Sequence, residues 1–266
     1  MLCRYFSLLV CALDMASCGT TRSGNLWGET ATFTPGRDAL ANAARSAAFD
    51  PWTWVPLAGA AVLTIDDWDE EISDWARDET PVFGSQEDAD DASDRLQGLT
   101  RDAWYLSMLV TPSGDEFHVW ARNKLQGYAV EWAATLVTSE LTSGLKSWTD
   151  RERPDGSDDR SFPSGHASSA FAYGSLASRN VDQIRMPAAL RWSLHAGLFT
   201  AAAGTAWARV EGGRHYPTDV LDGAALGNFV SRFVHDAFLG LPADVQLTAY
   251  ADPDRGDWSL GVAFSF

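Results

Sequence analysis

The feature that most limits what this chain can fold into is the length of its apolar stretches, none of which reaches eighteen strongly apolar residues. A helix that spans a bilayer needs about 20. Pro51–Ile65 (PWTWVPLAGAAVLTI) stops short of that and predicts a buried core helix. Glu131 and Glu140 interrupt the segment from Gly127 to Lys146. Trp192–Ala208 runs seventeen residues without a formal charge, but its Ala, Gly, Thr and His195 content suits a close-packed core helix better. Further helices are expected over Leu99–Val110, Asp115–Leu125, Gly127–Lys146, Ser164–Ser178, Pro187–Ala208 and Pro217–Leu239. Ser113 and Glu116 have the spacing of a capping box at the start of one of them.

Only the tail changes period. Val245–Tyr250 and Trp258–Phe266 alternate, and Asp252-Pro253-Asp254-Arg255-Gly256-Asp257 between them is turn chemistry. Two strands cannot close a barrel, so a hairpin packed on helices is expected. The predicted fold is an all-α helical bundle with a small C-terminal β-hairpin. Residues 19–50 read as a tether ending in a short helix near Arg37–Ala48, 51–240 as the main domain and 241–266 as the hairpin.

Charge narrows the partners. The net charge is -16 and the pI about 4.5, so the surface repels phosphate backbones and nucleic-acid binding is excluded. Asp66–Asp94 holds thirteen carboxylates against the single Arg77. The residue order of a calcium loop is absent, so a solvated helical face is expected there.

Cys3, Cys11 and Cys18 are the only cysteines, so nothing downstream can form a disulfide or a thiolate metal site. Residues 1–18 combine Arg4, a short apolar stretch from Phe6 to Leu13 and small residues, the layout of a secretory signal. Met15-Ala16-Ser17-Cys18-Gly19 resembles a bacterial lipobox, although Asp14 interrupts the apolar run. That resemblance implies an exported, periplasmic protein held to a membrane by a lipid on Cys18.

Three segments carry the chemistry: Lys146 and Arg153-Pro154; Pro163-Ser164-Gly165-His166; and Arg209, His215 and Asp219. Singly, each has a plain structural reading: a Lys that complements a helix dipole, a Pro-Ser-Gly cap, a surface His–Asp pair. Jointly they have a shared purpose. A phosphate monoester that loses its leaving oxygen spreads charge over the remaining phosphoryl oxygens. No metal ligands are in evidence, so fixed cations must meet that charge, and Lys146, Arg153 and Arg209 supply them. Pro163-Ser164-Gly165 leads into a helix, which brings backbone amides and a positive helix end to the same place; Gly165 permits close approach and Ser164 adds a hydroxyl. Pro217 is a good first helical residue, so Asp219 falls in the first turn, within reach of the His215 imidazole. A carboxylate on one ring nitrogen fixes the tautomer and exposes the other as a nucleophile. Arg151 and Arg214 are spare cations nearby, with Arg151 an alternative to Arg153. His118, His195 and His235 read as packing or surface residues.

The order Lys-x6-Arg-Pro, Pro-Ser-Gly-His, Arg-x5-His-x3-Asp resembles the type 2 phosphatidic acid phosphatase superfamily, which includes soluble bacterial acid phosphatases and vanadium haloperoxidases. The resemblance covers Lys146–Asp219. It implies that His215 attacks phosphorus to give a phosphohistidine. His166 would protonate the leaving oxygen and then deprotonate water. One departure is Ala208, where the family usually has a Ser beside the arginine. The expected activity is hydrolysis of phosphate monoesters, lipid phosphates and pyrophosphates among the candidates. No metal or other cofactor is expected, and vanadate is the expected inhibitor. The alternatives are a vanadate-dependent haloperoxidase and a non-catalytic envelope lipoprotein on the same scaffold.

Overall fold

Eight helices run through the described residues of a computed structural model, which covers 18–240 and, as backbone, 245–252 and 257–264. They are α1 (Arg37–Phe49), α2 (Pro51–Leu63), α3 (Trp68–Glu79), α4 (Gln86–Val110), α5 (Phe117–Thr149), α6 (Gly165–Gln183), α7 (Ala188–Glu211) and α8 (Pro217–Leu239). Local chemistry sets their ends. The Asp50 carboxylate accepts from the Trp52 amide and Pro51 opens α2. Ser85 caps α4 by accepting from the Asp88 amide. Thr80, Asp150 and Gly240 take left-handed conformations that stop α3, α5 and α8. In the tail, β1 (Val245–Asp252) pairs antiparallel with β2 (Asp257–Phe264), Val245 opposite Phe264. The turn between them and the signal-like residues 1–17 lie outside the described residues. Cys18 is exposed.

Helices α6 and α8 form the centre; α4, α5 and α7 pack on α6, and α1, α2 and α5 on α8. Small residues make the central contact possible. A Cβ on Gly227 would lie 2.0 Å from the Ser168 carbonyl oxygen, and one on Gly223 2.7 Å from that of Ser164. The two backbones therefore touch where α6 begins. Around this seam an alanine-rich cluster (Ala167, Ala170, Phe171, Ala202, Val210, Ala224) joins α6, α7 and α8. A second cluster holds Trp27, Trp104, Met108, Leu176 and Val230. Each fully buried side chain of Leu176's size contributes roughly 1.5–3 kcal/mol.

Several expectations need correction. Residues 19–50 are not a tether throughout: Trp27 is fully buried, its amide donates to the Pro112 carbonyl, and Thr32 donates to that of Phe238. Pro51–Leu63 is helical but no buried core helix. Trp52, Trp54, Val55, Leu57 and Val62 are exposed, and only Thr53, Pro56 and Ala60 are buried. Asp115–Leu125 and Gly127–Lys146 form one helix, α5, which starts at Phe117 without a capping box; the Ser113 hydroxyl donates to the Thr111 carbonyl instead. The first half of α7 is largely exposed, with Leu190 and Trp192 in solvent, and its second half is core. Among the described residues no helix is long and apolar enough to cross a membrane.

Candidate active site

The last turns of α5 and α7, the first turns of α6 and α8 and the N-terminal half of α4 meet at one end of the bundle. Lys146 sits in the last turn of α5 and Arg209 in that of α7. Ser164 caps α6, with His166 in the first turn. His215 lies between α7 and α8, with Asp219 one turn into α8. Arg153 comes from the loop after α5. The chain thus brings together all the residues expected of the site.

His215 is 2% exposed. Its proton affinity is pushed well below the ordinary histidine value by burial first, then by Lys146, Arg209 and Arg153. Three cations from separate segments therefore act on one buried imidazole. Burial and then Arg153 bring Lys146 down to about 8; its ammonium donates to the Arg160 carbonyl at 2.6 Å. Lys146 also packs beside Gly165, where a Cβ would meet its Cε at 3.8 Å. Arg153 donates to Asp158 at 2.6 Å.

Asp219 differs from expectation. Its Oδ2 is 3.9 Å from His215 Nδ1, outside hydrogen-bond range, and that nitrogen is buried without a hydrogen-bond partner among the described residues. The carboxylate accepts instead from the Ser161 hydroxyl at 2.5 Å, the Tyr216 amide at 2.9 Å and Arg151 Nη1 at 2.7 Å. Burial raises its pKa against the pull of Arg151, Ser161 and Tyr216. Arg151 is no spare cation. It bridges Asp219 and Asp69 and lies 4.1 Å over the Tyr216 ring, while Asp69 also accepts from the Thr218 amide and hydroxyl. Ser164 is likewise committed: its amide donates to the Asp219 carbonyl and its hydroxyl accepts from the Ala167 amide.

The acidic stretch is not merely a solvated face. Asp69, Asp90 and Asp94 all enter the site. Asp90 accepts from Arg209 Nη1 at 2.8 Å and from Arg214 Nε and Nη2 at 2.9 and 2.8 Å. Asp94 bonds His166 Nε2 at 2.9 Å. His166 has its pKa lowered by burial and then by Arg209, with Asp94 and Asp90 opposing. Sequence reasoning missed these carboxylates, Ser161 and Tyr216. The i, i+4 spacing of Asp90 and Asp94 was the available signal, since it puts both on one helical face.

Of the other histidines, His195 pairs with Asp182 at 3.1 Å and His235 is fully buried between Glu131 and Asp236. Among the described residues, no group of three or more His, Cys, Asp or Glu is arranged to hold a metal ion.

Residues 128–240, from the middle of α5 through the end of α8, match the PAP2 superfamily. This stretch is a PAP2 domain. It contains every site residue expected from the sequence except the proposed lipid attachment point, Cys18. The lipid A 1-phosphatase of Porphyromonas gingivalis is 35% identical over 113 residues, which are 40% of this chain and 24% of that relative. The chain thus matches about a quarter of the length of that curated relative. A crystal structure of a transmembrane PAP2-type phosphatidylglycerolphosphate phosphatase from Bacillus subtilis overlaps with a TM-score of 0.49 and 21% identity, over 69% of this chain and 92% of that one. The carboxylates of α3 and α4 lie outside the PAP2 match, so the site extends beyond it.

Proposed function

We propose that the protein is an exported, metal-independent phosphatase that hydrolyses phosphate monoesters, with lipid phosphates as the substrate class, through a phosphohistidine on His215. The observation that carries this reading is the buried His215 imidazole, kept neutral by burial and by Lys146, Arg209 and Arg153. A neutral imidazole retains the lone pair that attacks phosphorus, and the same cations meet the charge on the phosphoryl oxygens. The name of the Porphyromonas gingivalis relative supports a lipid phosphate. The signal-like residues 1–18 and Cys18 support export and a lipid anchor.

In the first step a ring nitrogen of His215 forms a bond to phosphorus as the phosphorus–oxygen ester bond breaks. His166 gives its proton to the departing oxygen. In the second step water attacks the phosphohistidine, its proton passes to His166, and inorganic phosphate leaves with His215 neutral again. Asp219 does not hydrogen-bond the imidazole; held by Ser161, Tyr216 and Arg151, it fixes the wall against which His215 sits.

Acid-quench trapping of labelled phosphoenzyme tests this. Wild type should trap label and keep its activity after exhaustive chelation, and vanadate should inhibit it. His215→Ala should trap none. His166→Ala should fail on alkyl phosphates yet retain turnover on activated aryl phosphates, whose leaving groups depart without a proton. Label on His215→Ala, or activity lost to chelation and restored by a divalent ion, would overturn the reading.

A further inference from the structure

The acidic run at the start of α4 divides into residues with different duties. Ser85 donates to Asp88 at the helix start, so that carboxylate belongs to the cap. Asp91 pairs with Arg95 on the exposed face. Asp90 and Asp94, one turn apart, point the other way, to Arg209 and Arg214 and to His166 respectively.

Asp90 is the more committed of the two. Its two oxygens divide between two arginines on either side of the Gly212-Gly213 turn: Oδ1 takes Arg209, and Oδ2 takes Arg214 through both Nε and Nη2. Arg214 is anchored on its far side by Asp155 at 3.0 Å. The turn is shaped to admit the carboxylate, because a Cβ on Gly212 would lie 2.8 Å from Asp90 Oδ1. Arg209 is 8% exposed, and its Nε is buried without a hydrogen-bond partner among the described residues. One edge of the guanidinium is therefore held by Asp90, and another donor remains uncommitted beside the buried His215.

A guanidinium on a flexible stem loses rotamer freedom when it grips an oxyanion, and a partner that fixes it beforehand removes that loss from the reaction. Fixed donors also stabilise a transition state without reorganising during it. Ala208, buried beside Arg209, offers no hydroxyl for this task. We propose that Asp90 is a positioning residue for phosphoryl transfer: from a helix outside the PAP2 match, it sets the fork of Arg209 to receive the phosphoryl oxygens. The inference rests on the phosphatase reading above. It opposes the simplest electrostatic expectation, in which a carboxylate near a phosphate site only repels substrate.

The two views predict opposite signs. A carboxylate that merely competes with substrate would, once neutralised, leave vanadate bound more tightly. A positioning carboxylate, once neutralised, leaves it bound more weakly. Vanadate mimics the transferring phosphoryl group, so its affinity should fall with kcat/KM. The experiment measures the vanadate dissociation constant directly and kcat/KM on an aryl phosphate, for wild type and three variants. Asp90→Asn should weaken both by about 10- to 100-fold, the scale of a misplaced catalytic group. Asp91→Asn, which removes the same charge from the exposed face of the same helix, should change neither by more than about twofold, as a screened surface charge. Gly212→Ala keeps every charge but pushes the carboxylate off Arg209, so it should weaken vanadate binding as Asp90→Asn does. It also carries the test if Asp90→Asn does not fold.

Tighter vanadate binding by Asp90→Asn, equal effects of Asp90→Asn and Asp91→Asn, or unchanged binding by Gly212→Ala would each overturn the proposal while leaving the phosphatase reading intact. Failure of the wild-type protein to bind vanadate would overturn the phosphatase reading and this inference with it.

Discussion

His166 and His215 share one site, yet their surroundings separate their proton affinities. Burial lowers both, but Lys146, Arg209 and Arg153 all press on His215, whereas Asp94 and Asp90 counter Arg209 at His166. His215 therefore stays neutral at pH values where His166 is still protonated, the division of labour a nucleophile and an acid require. The reaction needs protonated His166, so kcat/KM should fall as pH rises through a value below the ordinary 6.5 of a histidine. Asp94→Asn removes a group that raises the His166 pKa, so that limb should move to still lower pH. Rate against pH for both proteins checks this, and an unmoved limb means Asp94 does not act on His166. The histidines and their cations were legible in the chain because each motif is local, with Arg209 to Asp219 spanning the one short connection from the last turn of α7 to the first turn of α8. Asp90 and Asp94 were not, because their partners lie 119 and 72 residues away, and their i, i+4 spacing puts them on one face without marking that face as the inward one.

Helix α8 was readable to its ends, with Pro217 at its first position and Gly240 at its stop, because both signals are backbone chemistry. The long α5 was not. Gly127 looks like a break between two helices, but it is a notch: a Cβ there would lie 2.3 Å from the Trp27 ring. Glycines of α8 do similar work against α6. Gly227→Ala would set a methyl into the Ser168 carbonyl, and overpacking of this kind costs about 1–3 kcal/mol or more. A thermal melt should show a Tm several degrees lower, and a substitution without effect would mean that the seam can part freely. Arg151→Ala strips the cation from Asp69 and Asp219. Breaking a buried pair costs about 3–5 kcal/mol, and a third of the Arg151 side chain is exposed, so ~2–3 kcal/mol is expected from denaturant unfolding.

Away from the site, the bundle encloses a polar network that joins four helices, with Trp104 on α4. Glu131 of α5 accepts from Trp104 at 2.5 Å and faces His235 of α8; His235 bonds Asp236, and Asp236 holds Arg179 of α6. Burial disfavours the His235 imidazolium, but Asp236 and Glu131 prevail and hold its pKa above the ordinary value. A raised pKa contributes stability that is complete below the unfolded value and lost as pH rises through the folded one. Asp236, held below the usual carboxylate range with Arg179 as its main partner, adds a loss on the acid side only. Melting temperatures should therefore decline as pH rises above the ordinary histidine value of 6.5, and His235→Gln should flatten that decline; an unchanged slope would place its origin elsewhere. The segment around Trp27 has a consequence in time. Thr30 donates its hydroxyl to the Leu239 carbonyl, a partner 209 residues later in the chain. At ribosomal rates that partner is synthesised about 10 to 40 s after Thr30. For that interval the end of α8 that completes the surroundings of Trp27 does not yet exist, so a segment made early is among the last to be secured.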